Sequence, residues 1–472
     1  MAETIVPDSS ESWWLPRRFG AWRYGLLAAL FSCLACGLAF KIATITQFDV
    51  HPDEIQHVDA FCYFQFHGSI PALNLDGLYY TEYGDSRVTS GELVYQVYGR
   101  AAAALSGLGN ALSLPRSALP AGDSAAPTLQ AQLASCQPGY RLYRLFNVAL
   151  LSATLAFLFV AGLRHAWAAA IGVGMLCLPQ VIYVYSYANS DAWALSCSLL
   201  LLVYALAQRR PLSSLPKALL LGLLTGLVLL SKLTVWIAIP LAAAVIGYRM
   251  WRDWRAADKP KARPYLLNAA AALAACLLVS APILIVYPLS QGGDLSARRN
   301  EVREARAIAG YKPSDPFAPL YRLRAKGASF GRILFDRHWW AKSAKSFYGL
   351  FGYLDVPSPG WVYVTALAAG AVNGLLSLVV VWRNWKSLPD ELRLVLGLAP
   401  LVVAGVVGAS MFNSWTGDYQ PQGRYLFVAI VPLALWLWGL LPWEGVWLRA
   451  FRLASAVGLM LLALGVLWVK VL

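Results

Sequence analysis

Residues 23–57 read RYGLLAALFSCLACGLAFKIATITQFDVHPDEIQH, and the stretch decides what kind of protein the chain makes. Between Arg23 and Lys41 there is no charged residue. A helix needs about 20 mostly apolar residues to cross the hydrocarbon core of a bilayer. Arg17 and Arg18 precede the run. A secretory leader has that shape, but no small-x-small cleavage site follows, so the stretch reads as an uncleaved first span. Immediately beyond it stand two adjacent acids, Asp53 and Glu54, between His51 and His57.

The rest of the 472 residues agrees with a membrane reading. The chain is 58% hydrophobic, 13% aromatic and only 14% charged. A soluble chain carries about a quarter charged residues. This excludes an ordinary soluble enzyme, a disordered chain and a small disulfide scaffold. Further apolar runs give about eleven expected spans, near 23–43, 144–163, 167–187, 190–208, 214–230, 233–250, 265–287, 360–382, 394–411, 424–441 and 453–470. The expected fold is an all-α polytopic membrane protein. Its parts are a cytoplasmic N-terminus with the first span (1–43), an outer loop (44–143), spans two to seven (144–287), a second outer loop (288–359) and spans eight to eleven (360–472). Short interfacial helices are expected in both outer loops.

Orientation follows from the short loops. One set holds Arg164, Arg209, Arg210, Lys217, Arg249, Arg252, Arg255, Lys259, Lys261, Arg263, Arg383, Lys386, Arg449 and Arg452; the other holds only Lys232. Basic residues mark the cytoplasmic side, so the N-terminus is expected inside and the two long loops outside. The net charge of +14 is read as this anchoring rather than as nucleic-acid binding. Trp339, Trp340, Trp361 and Trp415 are expected in an interfacial aromatic belt. Cys33, Cys36, Cys177, Cys197 and Cys276 lie in apolar runs, whereas Cys62 and Cys136 share the first outer loop. In an oxidising compartment that pair could bridge, which the sequence leaves open.

Three clusters could carry chemistry. Pro52-Asp53-Glu54 predicts a helix start, since Pro suits the first position and acids the first turn. That helix would set Ile55, Val58, Cys62 and Phe66 on an interfacial apolar stripe, with Asp53 and His57 on the polar side. An ionised carboxylate there can act as a general base or hold a divalent cation. The spacing H-P-D-E-I-Q-H is not the H-E-x-x-H of zinc hydrolases. Asp191, in the turn Asn189-Ser190-Asp191, lies at or just inside the outer surface, where an acid is costly and so a functional candidate, or else a helix cap. Gln422-Gly423-Arg424-Tyr425 opens the tenth span, and Arg424 could grip phosphate oxygens or snorkel to headgroups, as could Lys232. The second outer loop holds twelve basic residues, among them Arg298 and Arg299, against six acids. It is an anion site, or a long loop that escapes the charge rule. No glycine-rich phosphate loop and no internal repeat is visible, which argues against an ATP-driven pump.

Pro52-Asp53-Glu54-x-x-His57 after the first span resembles the acidic motif of the GT-C superfamily, integral-membrane glycosyltransferases that use polyprenyl-phosphate-linked sugars. The Asn-Ser-Asp turn, Gly226–Lys232 and Gln422-Gly423-Arg424-Tyr425 are similar to patterns of a bacterial branch of it. The acid pair is not D-x-D, so the resemblance leaves Mg2+ or Mn2+ dependence at Asp53 and Glu54 open. It implies a bacterial inner-membrane (plasma-membrane) enzyme of polysaccharide biosynthesis in the cell envelope, working at the periplasmic face. A sugar would pass by inverting in-line displacement from a polyprenyl-phosphate donor to an envelope glycan, lipid or protein. Asp53 would be the base, with Glu54 or His57 orienting it and Asp191 binding hydroxyls. Arg424, Lys232, Arg298 and Arg299 would hold donor phosphate, and Tyr425, Gln422 and Asn189 would line the substrate site. A lipid-linked glycan transporter or flippase, or an O-antigen-type polymerase or ligase, are the alternatives. Sugar, acceptor, lipid length and oligomeric state are not legible.

Overall fold

The computed structural model describes residues 21–111, 128–208, 210, 212–255, 262–315, 323–388, 390–440 and 444–472. Its helices are α1 (Ala21–Ile45), α2 (Glu54–Phe66), α3 (Leu93–Ala111), α4 (Leu129–Cys136), α5 (Tyr140–Gly162), α6 (Ala166–Leu176), α7 (Pro179–Val184), α8 (Asp191–Ala207), α9 (Leu215–Leu229) and α10 (Ala238–Arg255). There follow α11 (Ala262–Ala281), α12 (Tyr287–Ser290), α13 (Leu295–Arg306), α14 (Phe330–Leu334), α15 (Trp339–Gly349), α16 (Gly360–Asn384), α17 (Asp390–Thr416), α18 (Ile430–Trp438) and α19 (Val446–Lys470). One small antiparallel pair, β1 (Leu350–Phe351) and β2 (Val356–Pro357), matches Leu350 with Pro357.

Among the described residues, seven helices are long and apolar enough to cross a membrane, and four shorter apolar helices accompany them. Ten of the expected spans each overlap one of these, whereas the stretch expected at 167–187 is broken before Pro179 into α6 and α7. The large apolar core joins α1, α5, α6, α8, α10, α17, α18 and α19. Faces such as Leu278 on α11 and Trp382 on α16 stay exposed, as lipid-facing positions do. Close packing of α9 on α11 depends on Gly222, where a Cβ would fall 2.0 Å from the Ala272 carbonyl oxygen. With Gly226 one turn on, this is a small-residue helix seam.

The first outer loop is a second core. Val58, Phe61 and Phe64 of α2 pack with Val94, Tyr95 and Tyr98 of α3, Leu133 of α4 and Tyr143 of α5. Cys62 and Cys136 are joined by a disulfide. The expected interfacial helix is therefore corrected in two ways. It starts at Glu54 rather than Pro52, and it buries His57 through Gln65 on all sides, because three helices cover it. The first outer loop ends in α4, and residues 112–127 lie outside the described residues.

The second outer loop straps onto the first. The Arg303 guanidinium meets Asp85 at 2.8 Å, Arg306 pairs with Asp76, and the Tyr287 hydroxyl donates to the Pro71 carbonyl at 3.0 Å. Of the expected aromatic belt, Trp340 and Trp361 are exposed, but Trp339 is fully buried and its Nε1 donates to Ser414 Oγ at 3.1 Å.

Candidate functional site

The residues 46–54 turn sharply because two non-glycine positions, Asp49 and Asp53, take left-handed backbone conformations (φ 62° and 59°). Aspartate tolerates that region better than most residues. The turn closes on itself: Ile55 N donates to Asp49 Oδ1 at 3.2 Å, and Asp49 N donates to Glu54 Oε2 at 3.1 Å. The carbonyl of Asp53 then accepts from Gln56 and His57, both at 3.1 Å, to begin α2. This aims Glu54 inward and Asp53 outward.

Glu54 is fully buried in a bidentate pair with Arg144, whose Nε and Nη2 donate at 2.7 and 2.6 Å. Arg144 also donates to the carbonyls of Ala43, Thr46 and Gln47 at 3.2, 2.9 and 2.8 Å. The pair thereby staples the end of α1, the start of α2 and the start of α5. Asp53 remains partly open, its side chain 30% exposed.

Asp53 Oδ2 lies 3.2 Å from Arg424 Nη2 and 3.5 Å from Arg87 Nη2. The other arm of the same guanidinium, Arg424 Nη1, is 3.5 Å from Asp191 Oδ2 and donates to the Tyr187 hydroxyl at 3.0 Å. Lys232 Nζ donates to Asp191 Oδ1 at 2.7 Å. Three cations thus hold two carboxylates at one end of the bundle. Asp53 and Arg87 are the partly accessible members, with side chains 30% and 29% exposed; the Asp191 and Arg424 side chains are each 5% exposed. Burial pushes the Asp53 carboxyl up, but Arg424, Arg87 and Lys232 outweigh it and hold the group below the ordinary aspartate range.

Arg424 reaches the cluster because Gly423 lets the chain pass. A Cβ at Gly423 would sit 1.9 Å from the backbone nitrogen of Phe347 on α15, and Gly423 N donates to Ser346 Oγ at 3.0 Å. No side chain fits there. Tyr425 lies between the cations, its ring centre 5.8 Å from Lys232 Nζ and 5.6 Å from the Arg424 guanidinium carbon. Gln422 is beside it, its Oε1 buried without a hydrogen-bond partner.

His57 is fully buried, with Nδ1 2.8 Å from the Tyr95 hydroxyl and Nε2 without a partner. Burial, reinforced by Arg87, Lys232 and Arg424, puts its pKa well below the usual histidine range, so the ring is neutral. His51 stacks on Tyr187 and pairs through Nδ1 with the Tyr183 hydroxyl at 2.7 Å. Gly352 N donates to that hydroxyl at 3.0 Å, bringing the β1–β2 turn to the cluster's floor.

The structure therefore gathers Asp53, Asp191, Lys232, Arg424 and Tyr425. Glu54, Asn189, Arg298 and Arg299, also expected at the site, have partners elsewhere. Glu54 faces away into Arg144, so both its oxygens are occupied by a guanidinium. Asn189 is a backbone clamp: Nδ2 donates to the Val184 and Tyr187 carbonyls at 2.6 and 2.9 Å, and Oδ1 accepts from Ala192 N at 3.0 Å. Its polar atoms are thus used in shaping the turn before α8. Arg298 pairs with Glu301 on its own helix, and Arg299 donates to the Thr89 carbonyl at 3.2 Å; neither forms an ion pair with Asp53 or Asp191. Asp53 and Glu54 do not fit a metal: one faces two guanidiniums and the other is saturated by a third.

Arg87 and Arg144 were missed by reading the sequence. Arg87 belongs to no motif and arrives through a short 3-10 turn, Arg87–Thr89. Arg144 carried a signal, a basic residue at the outer mouth of a span where the charge rule expects none.

The family model described as a predicted membrane protein (DUF2142) matches residues 133–434. The chain belongs to this family. The matched stretch includes Asp191, Lys232 and Arg424, while Asp53 and Arg87 lie before it. No curated protein matches the chain. Two solved structures are similar, both of ArnT from Cupriavidus metallidurans. The crystal structure with undecaprenyl phosphate is 15% identical, with a TM-score of 0.36 over 87% of this chain and 77% of that one. The apo crystal structure is 15% identical, with a TM-score of 0.31 over 88% and 77%.

Proposed function

We propose that this multi-pass membrane protein is a glycosyltransferase of the GT-C kind, moving a sugar from a polyprenyl-phosphate donor to an envelope acceptor at the extracytoplasmic face. One observation carries the reading: a single guanidinium, Arg424, bridges the two acids Asp53 and Asp191 at 3.2 and 3.5 Å, with Arg87 and Lys232 beside it. Cations held apart by carboxylates form a ready anion site, because a bound phosphate can replace the carboxylate as partner.

That exchange supplies the chemistry. Paired with two guanidiniums, Asp53 is a poor base. When donor phosphate draws Arg424 and Arg87 away, the Asp53 carboxylate loses its stabilising partners and its basicity rises. It then takes the proton of the acceptor hydroxyl as that oxygen bonds to the anomeric carbon from the face opposite the phosphate. The anomeric C–O bond breaks with its electron pair leaving on the lipid phosphate, whose added charge Arg424, Arg87 and Lys232 stabilise. Configuration inverts. Asp191 anchors Lys232 and Arg424, Glu54 with Arg144 fixes the turn that carries Asp53, and Tyr425 and Gln422 line the site. The Cys62–Cys136 disulfide supports an oxidising, extracytoplasmic location for this end.

The test is mass spectrometry of envelope glycans and lipid-linked sugars from cells with the wild-type chain, without it, and with Asp53→Asn. Loss of one sugar with accumulation of its lipid-linked form, in both the deletion and the variant, supports the reading. Unchanged glycans in the deletion strain sink it, and normal transfer by Asp53→Asn removes Asp53 as base.

A further inference from the structure

A second polar site lies at the other end of the bundle. α8 runs from Asp191 to Ala207, about 25 Å at 1.5 Å per residue. At its far end a cavity of about 670 Å³ is lined by Ala207, Gln208, Arg210, Ser213, Lys217, Arg252 and Asp253. The size is that of a small-ligand pocket. Arg249, 4% exposed, donates to the last carbonyls of α8, those of Ala205, Leu206 and Gln208, at 2.5, 2.8 and 2.5 Å. The negative helix end beside the cavity is thus capped by a residue outside the described lining.

Three lining cations stand against one acid. Asp253 is shared by Arg210 at 3.3 Å and Arg252 at 3.8 Å, while the Lys217 ammonium has a hydroxyl partner, Ser213 Oγ, at 3.4 Å. Among the described residues, the lining carries two more positive than negative charges. The depth is that of a membrane surface: Trp251 and Trp254 on the same helix end are exposed, and Arg255 stacks over Trp251 at 4.3 Å, the belt arrangement of interfacial aromatics. Basic pockets between helices at this depth hold anionic headgroups.

We propose that this cavity binds the phosphate of an anionic phospholipid headgroup from the leaflet opposite Asp53. Arg210, Lys217 and Arg252 take the phosphate oxygens, and Asp253 keeps the two guanidiniums apart when the lipid is absent. The site is independent of the proposed transfer reaction, so its test reads binding rather than activity.

The full chain, purified in mild detergent, is titrated with phosphatidylglycerol, phosphatidylcholine and inorganic phosphate, with thermal midpoint and lipid retention in native mass spectrometry as readouts. Phosphatidylglycerol raises the midpoint and is retained; phosphatidylcholine does neither. The combined Arg210→Gln, Lys217→Gln, Arg252→Gln change weakens phosphatidylglycerol binding by roughly a hundredfold, since each basic group at an anionic surface contributes about a fivefold factor. Arg383→Gln with Lys386→Gln, outside the cavity, leaves binding unchanged. Lys217→Gln alone gives a partial loss and keeps the test usable if the triple variant does not fold. Equal response to phosphatidylcholine, equal response to free phosphate, or undiminished binding by Lys217→Gln and the triple variant each overturn the proposal.

Discussion

Replacing Arg144 by leucine tests the scaffold beneath the cluster. The guanidinium makes six hydrogen bonds of 2.6–3.2 Å, two to Glu54 and the rest to Thr46 Oγ1 and the carbonyls of Ala43, Thr46 and Gln47. Both side chains of the ion pair have no exposed surface. Breaking such a pair leaves an uncompensated buried charge and costs about 3–5 kcal/mol. Arg144→Leu should sit at the upper end, because three carbonyls also lose a donor. Glu54→Gln keeps an acceptor for Nε and should cost less, about 2–3 kcal/mol. Glu54→Leu with Arg144→Leu removes both charges together and should be less damaging than the sum of the singles by at least about 2 kcal/mol. Reversible denaturation in mixed micelles of the wild type, three singles and the double variant measures this coupling. Wild-type stability in Arg144→Leu, or strictly additive losses, would refute the claim that Glu54 is spent on Arg144 and restore it as a candidate for chemistry.

Asp59, 4% exposed, has its carboxyl pushed up to about 7 by burial, against one hydrogen bond from Tyr79 N. A carboxyl raised in the folded state contributes stability that is complete below its unfolded value and lost as pH rises to about 7. The wild type should thus lose on the order of 3 kcal/mol between pH 4 and pH 8, and Asp59→Asn should flatten that part of the profile. Melting curves of both proteins at the two pH values check it. Gly222→Leu should drive α9 from α11, because even a Cβ meets the Ala272 carbonyl at 2.0 Å; loss of monodisperse protein in gel filtration is the expected result. Reducing Cys62–Cys136, which closes a stretch of 74 residues, should cost about 2–4 kcal/mol, read as a lower melting temperature with dithiothreitol that Cys62→Ala with Cys136→Ala no longer shows.

The membrane helices were legible because lipid leaves a blunt mark: uninterrupted apolar runs and cations at one set of ends. The mark fails where charge goes inward. Arg249 and Arg452 count toward the inside surplus, yet Arg249 caps α8 and Arg452 is fully buried against Glu444 at 2.8 Å. The convergence of Asp53, Asp191, Lys232 and Arg424 could be expected, since each breaks an apolar boundary at the same membrane face. The split between Asp53 and Glu54 could not. Neighbouring acids look alike in sequence, and only the left-handed backbone at Asp53 sends one to Arg424 and Arg87 and the other to Arg144. Asn189 misled for a similar reason, because a backbone clamp and a ligand-binding amide are the same residue until the partners are known. The basic second loop left two readings open, an anion site or a long loop exempt from the charge rule, because its acidic partners on the other loop, Asp76 and Asp85, lie more than two hundred residues earlier in the chain.

Arg424 stands 371 positions after Asp53, and that separation has a consequence for biogenesis. Glu54 and Arg144 are 90 positions apart, so both partners of that pair lie within the first two apolar segments. Asp53 and Asp191 must wait for the penultimate hairpin to deliver their shared counter-ion. A chain that ended before that hairpin would hold Asp53 with Arg87 alone and Asp191 with Lys232 alone, each acid short of the cation that joins them in the finished protein.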